Sequence, residues 1–164
     1  GAVSPTAVDA TAGMGQDSLL LAAAGFTVTM FESDPVIAAL LQDALDRAAT
    51  DPRLEGLVAR MTLVRTDSIA ALPMISPAPD VVYLDPMFPE RTKSAAVKKK
   101  FQLLHHLESP CEDQEALLRA ALLAHPRKVV VKRPVKGPYL AGVKPSHTVA
   151  GKAVRYDCIV PPRP

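Results

Sequence analysis

The sequence predicts an α/β fold built on an open, mostly parallel sheet flanked by helices. Three observations carry this. Short apolar or β-branched runs alternate with helical patterns along the chain, the order expected of parallel strands joined by crossover helices. The run at 80–84, Asp-Val-Val-Tyr-Leu, is apolar after its first residue, as in strands covered on both faces. Several of these strands end in loops rich in functional groups, and sheets of this kind bind ligands at the carboxyl ends of their strands.

The elements follow in order. Residues 6–10 read as a strand ending at Thr11-Ala12-Gly13, and 16–24 as a helix stopped by Gly25 at the C′ position. Residues 26–31 alternate in the manner of a strand. Ser33 or Asp34 then caps a helix with Pro35 in its first turn and Val36, Ile37, Leu40, Leu41, Ala44 and Leu45 at helical spacing. Residues 61–64 form a third strand and 80–84 a fourth. The stretches 94–107 and 111–124 read as helices, 127–131 as a fifth strand and 154–160 as the last. Between those two strands, Pro134, Gly137, Pro138, Gly142 and Pro145 mark a loop-rich segment.

At 164 residues and 48% hydrophobic composition, residues 1–164 make one globular domain with a sizeable core. No apolar run of membrane-spanning length and no basic-then-apolar leader is present, and a cytoplasmic protein is expected. The chain does not start with Met and enters its first strand almost at once, so a missing N-terminal extension is expected. Cys111 and Cys158 lack metal-type spacing and fit reduced thiols. The small net charge of +2 hides an asymmetry: residues 1–90 hold 4 Lys and Arg against 12 Asp and Glu, and residues 91–164 hold 15 against 5. A basic half beside an acidic half suggests a polyanionic partner on one side.

The first loop, Asp9-Ala-Thr-Ala-Gly-Met-Gly-Gln-Asp17, suits a nucleoside cofactor. Gly13 and Gly15 give a tight turn that lets backbone approach a ligand, and the helix that follows favours a carboxylate at its N-terminus. S-adenosylmethionine carries such a carboxylate together with an ammonium and a sulfonium, which Asp9 and Asp17 are placed to meet. Glu32, at the tip of the second strand, suits the ribose hydroxyls. Asp67 suits the adenine amino group, with Ser68 supporting it. A dinucleotide fingerprint needs a third glycine where this chain has Ser18, which counts against NAD.

The second loop, Asp85-Pro86-Met87-Phe88-Pro89, suits a flat base bearing an amino group. Such an amine is a poor nucleophile because its lone pair is delocalised into the ring. Acceptors for its two N–H groups draw the nitrogen toward tetrahedral geometry. Asp85 offers a carboxylate, Pro86 a backbone carbonyl held by its rigid ring, and Phe88 a stacking face worth about 1–3 kcal/mol. The two loops together suggest methyl transfer from S-adenosylmethionine to a nucleobase nitrogen. This chemistry equally serves guanine N2, adenine N6 or a protein glutamine, and a non-catalytic RNA-binding module of the same fold is the alternative outside enzymes.

The segments Asp9–Asp17, Tyr83-Leu-Asp-Pro-Met-Phe-Pro89, Lys93-Ser-Ala-Ala-Val-Lys-Lys99, Val129-Val-Val-Lys-Arg-Pro134 and Arg155-Tyr-Asp157 closely resemble the 16S ribosomal RNA guanine-N2 methyltransferase family named for guanosine 1516. The resemblance runs over nearly the whole chain. It implies a Rossmann-like class I methyltransferase fold, S-adenosylmethionine as donor and N2-methylguanosine in small-subunit ribosomal RNA as product, with the RNA or the ribosomal subunit as partner. Carried over by residue, it implies cofactor contacts at Gln16-Asp17, Glu32-Ser33, Asp67-Ser68 and Asp85. Family members carry Arg where this chain has Gln16. Candidate phosphate contacts are Lys93, Lys98, Lys99, Lys100, Lys132, Arg133 and Lys136, with Lys144, Lys152 and Arg155. His105-His106 has no accompanying ligand spacing, and no metal is expected.

Overall fold

The computed structural model describes residues 4–87 and 113–162. Seven strands lie in one sheet in the order β3-β2-β1-β4-β5-β7-β6. They are β1 Thr6–Asp9, β2 Thr27–Glu32, β3 Met61–Arg65, β4 Val81–Leu84, β5 Lys128–Pro134, β6 His147–Ala150 and β7 Val154–Ile159. β1 to β5 pair in parallel, and β7 runs antiparallel to both β5 and β6. The parallel order reverses direction between β1 and β4, which is where sheets of this kind open a ligand crevice.

Five α-helices are described: α1 Gln16–Ala23, α2 Pro35–Ala48, α3 Glu55–Val58, α4 Ser68–Ala71 and α5 Gln114–Leu123. The strand period of two divides the apolar residues into two cores. Ala12, Ala22, Val28, Met30 and Leu41 form one, where α1 and α2 cover the sheet. Val8, Ala10, Val82, Leu84, Val129 and Val131 pack with Leu117, Leu118 and Ala121 of α5 in the other. The result is three layers with the carboxyl ends of β1 to β5 along one rim.

Local signals explain the boundaries. Asp34 caps α2 by accepting the N–H groups of Val36 and Ile37, and Pro35 occupies the first helical position. Gly25, at φ 98, takes the left-handed turn that ends α1. Asp113 caps α5 through the N–H of Ala116, so the helix expected at 111–124 is seen from Gln114. The helix expected at 94–107 lies outside the described residues. One element corrects the sequence reading: β6 falls within the segment expected to be loop. All four of its residues are exposed, so it has no apolar alternation to reveal it, and pairing with β7 is what makes it a strand.

Candidate functional site

The rim of the sheet collects the loops singled out by sequence. Gly13 and Gly15 both take positive φ, 51 and 75, and Gly15 sits at the N-cap of α1 with no side chain capping the helix. The first-turn N–H groups of α1 therefore point into the rim without a side-chain acceptor, the arrangement that receives a carboxylate. Glu32 fixes this loop against β2. Its Oε2 accepts the N–H of Gly13 at 3.1 Å and its Oε1 accepts the N–H of Asp34 at 2.7 Å. A carboxylate with one backbone bond on each oxygen keeps a second lone pair on each, enough for a pair of ribose hydroxyls.

Asp9 stands apart from this surface. It is 1% exposed, accepts the hydroxyl of Ser18 at 2.5 Å and the N–H of Thr11 at 3.1 Å. Burial pushes its carboxyl up to about 6, against the pull of the Ser18 and Thr11 hydrogen bonds. The expectation that Asp9 meets a cofactor ammonium is corrected: it clamps the end of β1 to the first turns of α1, and shapes the glycine turn from behind. Ser68 makes a structural bond at the same rim. Its hydroxyl donates to the carbonyl of Ala10 and so ties the β3 loop to β1, with no bond to Asp67. Asp67 itself is exposed and caps α4 through the N–H of Ile69 at 3.0 Å. Gln16 and Ser33 are exposed at the same rim.

At the centre, four side chains from three elements converge. Tyr83 of β4 donates its hydroxyl to Oδ2 of Asp17 at 2.8 Å. Lys132 of β5 places Nζ 2.9 Å from that same oxygen and 3.2 Å from Oδ2 of Asp85. Asp85, just past β4, is anchored through its backbone N–H, which donates to Oγ1 of Thr11 at 2.7 Å. Its carboxylate is 39% exposed, so it faces the crevice. Burial pushes the Asp85 carboxyl up, the Lys132 ammonium pulls it down, and neighbouring Asp17 pushes it up again, with a net rise. Pro86 is buried behind it, and Phe88 lies outside the described residues.

Sequence reasoning missed Thr11, Ser18 and Tyr83 as parts of this site, and assigned Lys132 to RNA. Tyr83 is level with Asp9 and Val130 in the parallel register, a relation that no linear pattern encodes. A lysine following Val129-Val130-Val131 in a strand was the one available signal for Lys132.

Three further assignments to phosphate are corrected. Lys132 is bound to the two carboxylates. Arg133 is 1% exposed and donates from Nε to the carbonyl of Pro138 at 2.8 Å. Arg155 is 7% exposed, pairs with Asp157 at 3.0 Å, and donates to the carbonyls of Pro134, Val135 and Gly137. Both arginines hold the loop after β5 and are turned away from solvent. Lys136, Lys144 and Lys152 are exposed, and Lys93, Lys98, Lys99 and Lys100 lie outside the described residues.

An open groove of about 740 Å³ between α2, α3 and β3 is lined by none of these residues. Among the described residues no helix is long and apolar enough to cross a membrane, and no group of three or more His, Cys, Asp or Glu is placed to hold a metal ion.

The donor set fits S-adenosylmethionine. Uncapped helix N–H groups suit its carboxylate, the fixed Glu32 suits its ribose, and acids at the crevice suit its positive charges. Comparison with known proteins agrees. Residues 1–161 match the family model described as "Putative SAM-dependent methyltransferase". The chain is 49% identical over 159 residues to ribosomal RNA small subunit methyltransferase J of Thioalkalivibrio sulfidiphilus, covering 95% of this chain and 62% of that protein. It is 44% identical over 160 residues to the protein of the same name from Neisseria meningitidis, covering 96% and 64%. The chain thus spans about three-fifths of the length of these curated relatives. The crystal structure of a SAM-dependent methyltransferase from Neisseria gonorrhoeae superposes with a TM-score of 0.80 at 38% identity, over 96% of this chain and 62% of that one. The rRNA methyltransferase aviRa of Streptomyces viridochromogenes shares the fold, with a TM-score of 0.64 at 20% identity over 98% and 78%.

Proposed function

This chain belongs to the S-adenosylmethionine-dependent methyltransferase family, and we propose that it methylates the exocyclic N2 of a guanine, guanosine 1516, in small-subunit ribosomal RNA. The observation that carries the reading is the placement of Asp85. A half-exposed carboxylate stands at the crevice rim beside the cofactor loop, its backbone pinned to Thr11 and its side chain to Lys132. The names of the relatives support ribosomal RNA as substrate, and with it a cytoplasmic site of action.

When bound, S-adenosylmethionine supplies a methyl group made electrophilic by its sulfonium. The chain's own residues do the rest. The glycine turn, Glu32 and the N-terminus of α1 hold the donor against the rim, with Asp67 placed for its adenine. Asp85 accepts one N–H of the guanine amine and the Pro86 carbonyl the other, which turns the nitrogen lone pair outward toward the methyl. Phe88 stacks on the base and fixes its plane. Orientation and proximity of this kind account for roughly 7–11 kcal/mol of a barrier. No strong base is needed: the N–H proton becomes acidic once the new N–C bond forms, and it passes to Asp85 or to water. A base within folded RNA must be splayed out to enter the crevice. Lys93, Lys98, Lys99, Lys100, Lys136, Lys144 and Lys152 are the proposed phosphate contacts.

The test is methyl transfer from labelled S-adenosylmethionine to small-subunit ribosomal RNA, followed by nucleoside analysis. N2-methylguanosine is expected, and its loss in Asp85→Ala with the fold retained. Label appearing in N6-methyladenosine or in protein glutamine, or full activity in Asp85→Ala, would sink this reading.

A further inference from the structure

We propose that Lys132 is a positioning residue of this site: its ammonium, 2.9 Å from Oδ2 of Asp17 and 3.2 Å from Oδ2 of Asp85, ties the carboxylate of the donor loop to the carboxylate of the substrate loop. The assignment rests on the methyl-transfer reading for its purpose, and on geometry alone for its existence.

The sequence places a lysine near the carboxyl end of β5, where its side chain is only 25% exposed. A buried ammonium is costly unless paired. Strand register sets its partners. Val131 is level with Leu84, so Lys132 is level with Asp85 one residue on. The period of two puts Lys132 on the same face as Tyr83, opposite Val129 and Val131. Asp17 reaches this face from the first turn of α1, and the Tyr83 hydroxyl gives its Oδ2 a second donor.

Two carboxylates brought together repel, and one of them takes up a proton unless a cation lies between. Among the described residues, the charged and titratable groups that face Asp85 are Asp9 at the end of β1, Asp17 of α1, Tyr83 of β4, and Lys132 and Arg133 of β5. Among the described residues, Lys132 is the cation in direct contact with the Asp85 carboxylate. With it in place the Asp85 carboxyl is held below where burial and Asp17 would otherwise set it, which favours an acceptor aimed at the incoming amine. Without it, burial and the negative charge of Asp17 raise Asp85 toward protonation, and a protonated oxygen donates where the mechanism needs an acceptor.

The first readout needs neither RNA nor cofactor: the Asp85 carboxyl carbon is titrated by nuclear magnetic resonance in wild type, Lys132→Met and Lys132→Arg. Lys132→Met is expected to raise the Asp85 midpoint by about 1–3 pH units, and Lys132→Arg to restore it. The acid limb of kcat/KM for RNA methylation should move by the same interval. If Lys132→Met does not fold, Lys132→Gln makes the same comparison with length and a donor retained. An unmoved Asp85 midpoint overturns the proposal. So does activity lost equally at every pH. A shifted midpoint in a protein whose wild type methylates no RNA would instead leave the lysine's grip on Asp85 standing and remove the substrate reading.

Discussion

A Cβ placed on Gly15 would stand 2.8 Å from Cδ1 of Leu41. Leu41 is 2% exposed in the middle of α2, and Gly15 holds φ 75 at the start of α1. The glycine turn is therefore pressed directly on the helix that begins just past Glu32. The glycine loop and the Glu32 carboxylate are kept at a fixed spacing by core packing as well as by the Glu32–Gly13 hydrogen bond.

Gly15→Ala should destabilise the protein by about 2–4 kcal/mol, the sum of left-handed strain and overpacking against Leu41. Urea unfolding measures it, and calorimetry with S-adenosylmethionine should show weakened binding in the same variant. A wild-type midpoint would mean that the turn is not pressed on α2.

Asp9 makes stability depend on pH. Its carboxyl rises from an ordinary 3.8 to about 6 on folding, chiefly through burial. A folded value above the unfolded one means that its contribution is fully present below about 3.8 and is lost as pH climbs through about 6. The loss is about 3 kcal/mol, from two units at roughly 1.4 kcal/mol each. Asp9→Asn keeps the shape and removes the titration. Denaturant midpoints at pH 4 and pH 7 should show the variant gaining on wild type by about that amount, and parallel profiles would refute the assignment.

The basic residues should separate into two groups. Arg155→Lys breaks the bonds to the carbonyls of Pro134, Val135 and Gly137 and leaves Asp157, 3% exposed, poorly paired. A loss of about 3–5 kcal/mol in stability is expected. Lys136 and Lys152 sit on two exposed turns brought together by the bond from the N–H of Val135 to the carbonyl of Ala153 at 3.3 Å. Lys136→Glu with Lys152→Glu should change stability by less than about 0.5 kcal/mol. The same pair should weaken RNA binding and flatten its salt dependence by about one unit of slope per lost contact. An unchanged slope would mark both lysines as ordinary solvated surface.

The fold was legible because its signals are local. Asp34-Pro35 at a helix start, Gly25 at a helix end and the apolar run before Asp85 each act within a few residues. The edge strand β6 was hidden because all four of its residues face solvent, and only its pairing with β7 defines it. The site was half legible. Asp85, Glu32 and the glycine turn could be placed because each follows a recognisable strand. Asp9 could be placed on the rim, yet whether it faced a ligand or the interior was not encoded in spacing.

The sequence by itself determined the alternation of strands and helices, the loops at the rim and the residues with the chemistry to serve there. Those properties depend on propensity, period and turn geometry, all set by near neighbours. The tertiary structure alone decided what the charges do. Lys132 and Asp17 are separated by 115 positions and meet at 2.9 Å only because β4 joins β1 to β5 in the sheet and α1 starts just past β1. Arg133 and Arg155 look like phosphate ligands in the chain and become struts for a loop once β5 and β7 pair. Burial and partner identity set the energy of a charge, and both are fixed only when distant segments come together.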